Sequence, residues 1–395
     1  IRKLLCKIFE IVKLGVYLET VYCKQNQYLF CKDIYTILLN RIATDFDINY
    51  IGHVSPDLSS GMYQVKLYNK LYELSSYKNL VSLCLKYPFY RILNHRIICD
   101  FVRQMDCLLI MAPSPISLEI VRLAIKYDKK IVLLIRQDTR FVIPLRYRGI
   151  KKIFAQMLAN WWENKLEIFV QNNNLSVLGL GYVITERYKH FSSNVSCFVS
   201  SRYKDCDIVL PKNVKNINFD GVVKLLFVGR VEINKGIIEL LKVLSDFDGF
   251  KFHLTIVGDG NFMSEVKKWI LKVNLSQNVT CQGYLAFGPQ LMNIYREHDI
   301  FILPSYSEGL PQVILEAMAN GCLVLSTSVG SVPYIIQHGK NGFLFEAKDV
   351  NSLKSVLDGL KNHNDIQMIR YNGINTAKMY AFEKQMLVLE NKLLE

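Results

Sequence analysis

From Val222 onward the chain alternates short apolar runs with helix-length amphipathic ones, and that alternation leaves few folds open. VKLLFVGR, KFHLTIVG and NVTCQGY read as strands, and Lys235 to Leu244, Met263 to Val273 and Gln290 to Glu297 read as the helices between them. Strands separated by helices pair in parallel, so the expected class is α/β with a doubly wound sheet. In such sheets ligands lie outside the carboxyl ends of the strands.

The segment DIFILPSYSEGLPQVILE, residues 299 to 316, sharpens this expectation. Ile300 to Leu303 form a buried strand that Pro304 stops, and Pro311 suits the first turn of a helix that closes at Gly321. Backbone N–H groups near Gly309, Leu310 and Gln312 then point past the strand end, where an anion belongs. Glu308 and Glu316 frame that place, eight positions apart. On one continuous helix they would differ by roughly 80° and about 12 Å of rise, so they hold opposite ends of an elongated ligand rather than sharing a proton.

Strand VKLLFVGR ends in Gly229 and Arg230, and Lys235-Gly236 opens the next helix. A glycine lets the backbone approach a ligand, and two cations across a strand-to-helix turn reach a diphosphate. Val257-Gly258-Asp259-Gly260 sits at a similar turn, but Met263 replaces the third glycine of a dinucleotide fingerprint.

These pieces, with GCLVLSTSVGSVPYIIQHGKNGFLFEAKD after them, resemble the donor-binding half of retaining glycosyltransferases of the GT-B fold, in particular glycosyltransferase family 4 of bacterial surface-polysaccharide type. The resemblance implies two Rossmann-like doubly wound domains with a cleft between them. It implies that Glu316 binds the ribose of a nucleotide sugar and Glu308 lies by the transferred sugar. Arg230 and Lys235 match the pyrophosphate clamp, which replaces a divalent metal, so no metal or other cofactor is expected. Gly258 matches a loop near the nucleotide, and Gly283-Tyr284 the position that contacts the base through backbone groups. The triplets Asp45/Asp47, Asp205/Asp207 and Asp246/Asp248 fall at turns and in a polar segment, where solvated acids are ordinary.

The first half repeats the grammar less cleanly. Asp47 to Val54, Asp106 to Met111 and Lys130 to Ile135 read as strands, with SLEIVRLAIKYD a helix, and Leu175 to Ile184 as a buried strand and turn. Gln137, Asp138 and Thr139 stand at a strand end, and by resemblance Asp138 faces the transferred sugar. His53 ends another strand, as a turn residue or facing the acceptor. Residues 1 to 50 lack the glycine-rich loop that many family members have after their first strand, since Gly15 stands alone; either the chain is truncated or the loop has been dropped. PKNVKNINFDG reads as a hinge, giving an acceptor-side domain over 1–212 and a donor domain over 213–377, with a helix at about 378–395 packing back on the first.

At 395 residues the chain exceeds what one core usually supports. Lys plus Arg is 48 against 35 acids, a net charge of +13 that favours anionic partners. Nucleic-acid binding fits the charge but has no recognisable module. The longest uncharged windows are interrupted by polar residues, so none reads as a membrane span. The N-terminus does not read as a secretory signal, and the chain opens on Ile1 rather than Met, leaving its start open. Ten cysteines without metal-ligand spacing fit buried thiols in a reducing compartment. RYRGIKKIFAQMLANWWENKLEIF, residues 146 to 169, sets Arg146, Arg148, Lys151 and Lys152 before Ile153, Phe154, Met157, Leu158, Trp161 and Trp162 at helical spacing, a pattern for an anionic membrane surface.

The expectation is therefore a cytoplasmic enzyme, peripheral on the inner face of the membrane. It moves a sugar from a nucleotide diphosphate donor to a glycan or lipid-linked acceptor with retention. The competing readings are a nonhydrolysing nucleotide-sugar epimerase of the same fold and a non-catalytic GT-B subunit that binds a partner enzyme.

Overall fold

In the computed structural model the described residues are 11–25, 28–31, 35–55, 63–65, 70–75, 87–143 and 147–395. They fall into two compact units, one of residues up to Phe198 together with Met386–Glu395, the other of Val199–Gln385. Each is built on its own largely parallel sheet.

The first unit carries strands β1 (Lys13–Gln25), β2 (Tyr28–Cys31), β3 (Asp47–Ser55), β4 (Tyr63–Val65), β5 (Lys70–Leu74), β6 (Cys107–Ala112), β7 (Lys130–Ile135), β8 (Ser176–Leu180) and β9 (Val195–Phe198). Strands β5, β3, β1, β6, β7, β8 and β9 run in parallel, and β2 and β4 extend the far end of β1 antiparallel. The central strands β6 and β7 are almost wholly buried, as continuous apolar runs covered on both faces must be.

Several elements here were not expected, among them β2, β4, β5, β9 and the helix Tyr35–Ile42. β1 occupies the middle of the sheet although its run KLGVYLETVYCKQ mixes charge with apolar residues. Gly15 lies within it, where a side chain would put its first carbon 2.6 Å from Leu108 and Met105, so this glycine serves close packing rather than a loop. The helix Tyr87–Gln104 also went unread. The expected strand to Ile184 is shorter. Gly181, at φ 90°, turns the chain after β8 into the helix Tyr182–Tyr188, and the Thr185 hydroxyl donates back to the Gly181 carbonyl at 2.9 Å.

The amphipathic segment forms the helix Ile150–Asn173, with Arg146 outside the described residues. Ala155, Ala159, Trp162, Leu166 and Val170 pack into the core, whereas Ile150, Ile153, Phe154, Met157 and Trp161 are exposed. Its two tryptophans thus divide: Trp161 faces outward and Trp162 is 2% exposed. No helix among the described residues is long and apolar enough to cross a membrane.

In the second unit β10 (Val222–Val228), β11 (Lys251–Val257), β12 (Val279–Gly283), β13 (Ile300–Leu303), β14 (Leu323–Thr327) and β15 (Phe343–Phe345) form one parallel sheet. The order is β12-β11-β10-β13-β14-β15. Sequence order therefore runs outward from β10 in one direction and then resumes at β13 in the other, so the crevice at the carboxyl ends of β10 and β13 is the topological switch point. The polar stretch 211–221 belongs to this unit: Arg370 donates to the Lys215 carbonyl at 2.6 Å, and Gln367 to that of Val214 at 2.9 Å.

A candidate donor site at the switch point

The loops at this switch point are stitched together by their backbones. Gly229 N donates to the Val257 carbonyl at 3.0 Å, Gly258 N to that of Gly283 at 2.8 Å, and Val231 N to that of Asp259 at 3.0 Å. Gly258, at φ 139°, is required here, because a side chain would bring its Cβ to 1.8 Å from the Gly229 carbonyl oxygen. Gly236 has the same reason on the other side: at φ 66° it packs against Pro304, whose carbonyl oxygen would lie 2.0 Å from a Cβ. It also separates the short turn Ile233–Lys235 from the helix Ile237–Ser245, so Lys235 precedes the helix that the sequence reading began with it.

That turn aims Lys235 at the loop after β13. Its ammonium lies 2.6 Å from Glu308 Oε1, with 13% and 11% of the two side chains exposed. The loop is fixed from behind, where the Thr327 hydroxyl donates to the Ser305 carbonyl at 2.6 Å and Ser331 N to that of Gly309 at 2.8 Å. Pro311 caps the helix Gln312–Ala319 instead of entering its first turn, and the chain leaves that helix through Gly321 at φ 81°. In the first turn of this helix the Ile314 N–H donates to the Pro311 carbonyl at 3.2 Å, and helix starts leave first-turn N–H groups without an intrahelical acceptor.

Glu316 is 1% exposed, its Oε1 accepting from Arg202 at 2.9 Å and its Oε2 from the Tyr295 hydroxyl at 3.1 Å. Burial, with the nearby Glu316 charge, pushes the Tyr295 hydroxyl well above its usual range, so it remains a proton donor. Arg230 is 75% exposed and meets Glu232 at 2.9 Å, which leaves it loosely held. Tyr284, beyond Gly283, is exposed. Lys235, Glu308, Glu316 and the strand-end glycines thus converge in one unit.

Asp138 sits in the other unit. It caps the short helix Thr139–Val142 by accepting from Arg140 N at 2.9 Å, and its oxygens also meet the Arg140 and Arg187 guanidinium groups. Arg187 reaches Glu163, which is fully buried, at 3.0 Å, and contacts Glu167 as well. Glu163 Oε1 accepts from the Thr139 N–H and hydroxyl at 2.7 and 2.8 Å. Burial opposes the Arg187 charge, but the bond to Glu167 and the neighbouring acids outweigh it and hold the pKa above the usual guanidinium range. His53 is buried near the Tyr90 hydroxyl, and burial lowers its pKa.

Among the triplets, Asp45 pairs with Arg41, Asp207 accepts from Lys204 N, and Asp246 ends a helix. Among the described residues no group of three or more His, Cys, Asp or Glu is placed to hold a metal ion. Arg202 and Tyr295 escaped sequence reading, since each reaches Glu316 from a distant part of the chain and stands in no local motif.

Residues 211–376 match the family described as Glycosyl transferases group 1. This stretch contains the switch-point loops. Among curated relatives, an uncharacterized glycosyltransferase of Methanocaldococcus jannaschii is 31% identical over 40% of this chain and 44% of its own length. The amylovoran biosynthesis glycosyltransferase AmsK of Erwinia amylovora is 32% identical over 34% of this chain and 35% of its own. The chain spans less than half the length of such relatives. Anabaena HepE, solved in complex with UDP, aligns over 97% of this chain and all of its own with a TM-score of 0.64 at 14% identity. The fold is GT-B.

Proposed function

We propose that the protein is a retaining glycosyltransferase that takes a sugar from a nucleoside diphosphate donor and places it on a glycan or lipid-linked saccharide in surface-polysaccharide synthesis. The observation that carries this reading is the switch-point cluster, in which Lys235, paired with Glu308, lies in the same unit as a buried Glu316 with two hydrogen-bond donors. The group 1 match covers Lys235, Tyr295, Glu308 and Glu316, the HepE structure contains UDP, and AmsK is described as an amylovoran biosynthesis enzyme.

In this reading the diphosphate lies over the strand-end glycines and the first turn of the helix Gln312–Ala319. Lys235 and Arg230 stabilise the negative charge that grows on the leaving diphosphate as the sugar–oxygen bond breaks. Glu308 orients the sugar, and the acceptor oxygen attacks from the face the diphosphate leaves. On the acceptor side the reading keeps Asp138 as the acid near the transferred sugar, braced by Arg140 and Arg187. The cations take the place of a divalent metal. The exposed Ile150, Ile153, Phe154, Met157 and Trp161, with Arg148, Lys151 and Lys152 beside them, form a face for an anionic membrane that holds a lipid-linked acceptor.

A transfer assay across nucleotide sugars, with and without excess EDTA, tests the reading. Turnover with at least one donor, retained under chelation and giving a product of the donor's anomeric configuration, is expected. Release of an epimerised sugar without acceptor, or loss under EDTA restored by Mg²⁺ or Mn²⁺, would overturn the transfer or the metal part respectively.

A further inference from the structure

Arg202 and Arg370 lie in the same unit and use their guanidinium groups differently. Arg370 is 5% exposed and donates to the Gly321 carbonyl at 2.7 Å, the Lys215 carbonyl at 2.6 Å and Gln367 at 3.2 Å, the pattern of an arginine that fastens backbone. Arg202 makes one charged bond, to Glu316 Oε1, while its guanidinium lies 4.4 Å over the Phe287 ring. Its Nε is buried with no partner among the described residues. Over a quarter of the side chain remains exposed, so a ligand at the site can reach it.

We propose that Arg202 is a positioning residue of the donor site, fixing the Glu316 carboxylate as a two-pronged acceptor for the vicinal hydroxyls of a nucleotide ribose. This rests on the ribose role proposed for Glu316 and extends it to a residue outside the motif. The Glu316 carboxylate is 1% exposed, and among the described residues its ion pair is with Arg202, so losing that partner would leave it buried without its cation. Arg202 takes one lone pair of Oε1 and the Tyr295 hydroxyl one of Oε2, leaving each oxygen one free to accept. Two acceptors on one rigid group match two adjacent hydroxyls. By stacking on Phe287, Arg202 also ties this carboxylate to the loop that follows Gly283.

The test compares UDP, ADP and GDP with their 2′-deoxy forms, titrated calorimetrically into wild type, Arg202→Ala, Arg202→Lys, Glu316→Ala and the double variant Arg202→Ala/Glu316→Ala. Thermal melting checks that each is folded. The wild type should prefer the ribose form of at least one nucleotide. Arg202→Ala should weaken that form about tenfold or more, as for loss of a charge-assisted bond, and the deoxy form less than about twofold. Arg202→Lys should restore part of the preference, and the double variant should bind like Glu316→Ala. In turnover, Arg202→Ala should raise the donor KM and keep kcat. Equal weakening of both forms, or a double variant weaker than Glu316→Ala, would overturn the proposal. Equal wild-type binding of both forms would remove the ribose role from Glu316, and no nucleotide binding at all would remove the donor reading beneath both.

Discussion

In the second unit Lys235 meets Glu308 and Arg202 meets Glu316, each cation with one acid, whereas in the first unit Arg187 contacts Asp138, Glu163 and Glu167 together. Both clusters involve residues at or beyond the carboxyl ends of parallel strands. Their difference is in capacity. Lys235 and Glu308 can exchange a single partner for a phosphate or a sugar hydroxyl, and strand-end glycines let a ligand's phosphates approach backbone. The Arg187 cluster is closed on itself, with Thr139 and Tyr188 also bonded to Glu163, and it joins the segment after β7 to the helices Ile150–Asn173 and Tyr182–Tyr188. One topology thus carries a candidate ligand site in one unit and a structural brace in the other.

The largest expected effect breaks that brace. Arg187→Ala leaves the fully buried Glu163 without its cation and should cost the first unit about 3–5 kcal/mol, while nucleotide binding by the second unit survives in whatever remains folded. Chemical denaturation read separately from nucleotide titration checks it; loss of less than roughly 1 kcal/mol would place Arg187 among surface pairs.

Next comes the open site. Lys235→Ala or Glu316→Ala should leave a folded protein whose transfer is lower by at least about tenfold, corresponding to roughly 1.5–3 kcal/mol for one charged partner. Unchanged turnover in either would remove that residue from the donor site.

Asp138→Asn probes where the two regions' roles meet. It preserves shape but removes the charge facing Arg140 and Arg187, so stability should fall by about 1–3 kcal/mol and kcat should fall with donor affinity unchanged. A stability loss with kcat intact would leave Asp138 as a brace alone.

Much of this was legible because the second unit writes its candidate site locally. Strand, glycine, cation and helix follow one another in Val228 to Leu244, and strand, acid, glycine and helix in Ile300 to Gly321, so period and turn chemistry located the switch-point loops. The boundary errors there came from glycine and proline: Gly236 at positive φ delayed one helix and Pro311 became a cap. The partners of Glu316 were invisible because Arg202 and Tyr295 stand 114 and 21 residues before it, a distance over which only tertiary packing acts. In the first unit β1 was missed because charged residues interrupt its apolar run, and the brace because its charged members come from three separate segments, around Asp138, Glu163 and Arg187.

The exposed face of the helix Ile150–Asn173 gives the smallest effect. Replacing Lys151 and Lys152 with Glu should weaken co-sedimentation with anionic vesicles at low salt without unfolding, each basic residue contributing on the order of 1 kcal/mol. Equal sedimentation of wild type with neutral and anionic vesicles, or none with either, would reject the membrane face.

The most direct measurement is calorimetric titration of UDP, ADP and GDP into the wild type and Lys235→Ala. The account predicts that at least one nucleoside diphosphate binds the wild type and that Lys235→Ala weakens it by about tenfold or more. Binding of equal strength to both proteins, or of none of the three to the wild type, would contradict it.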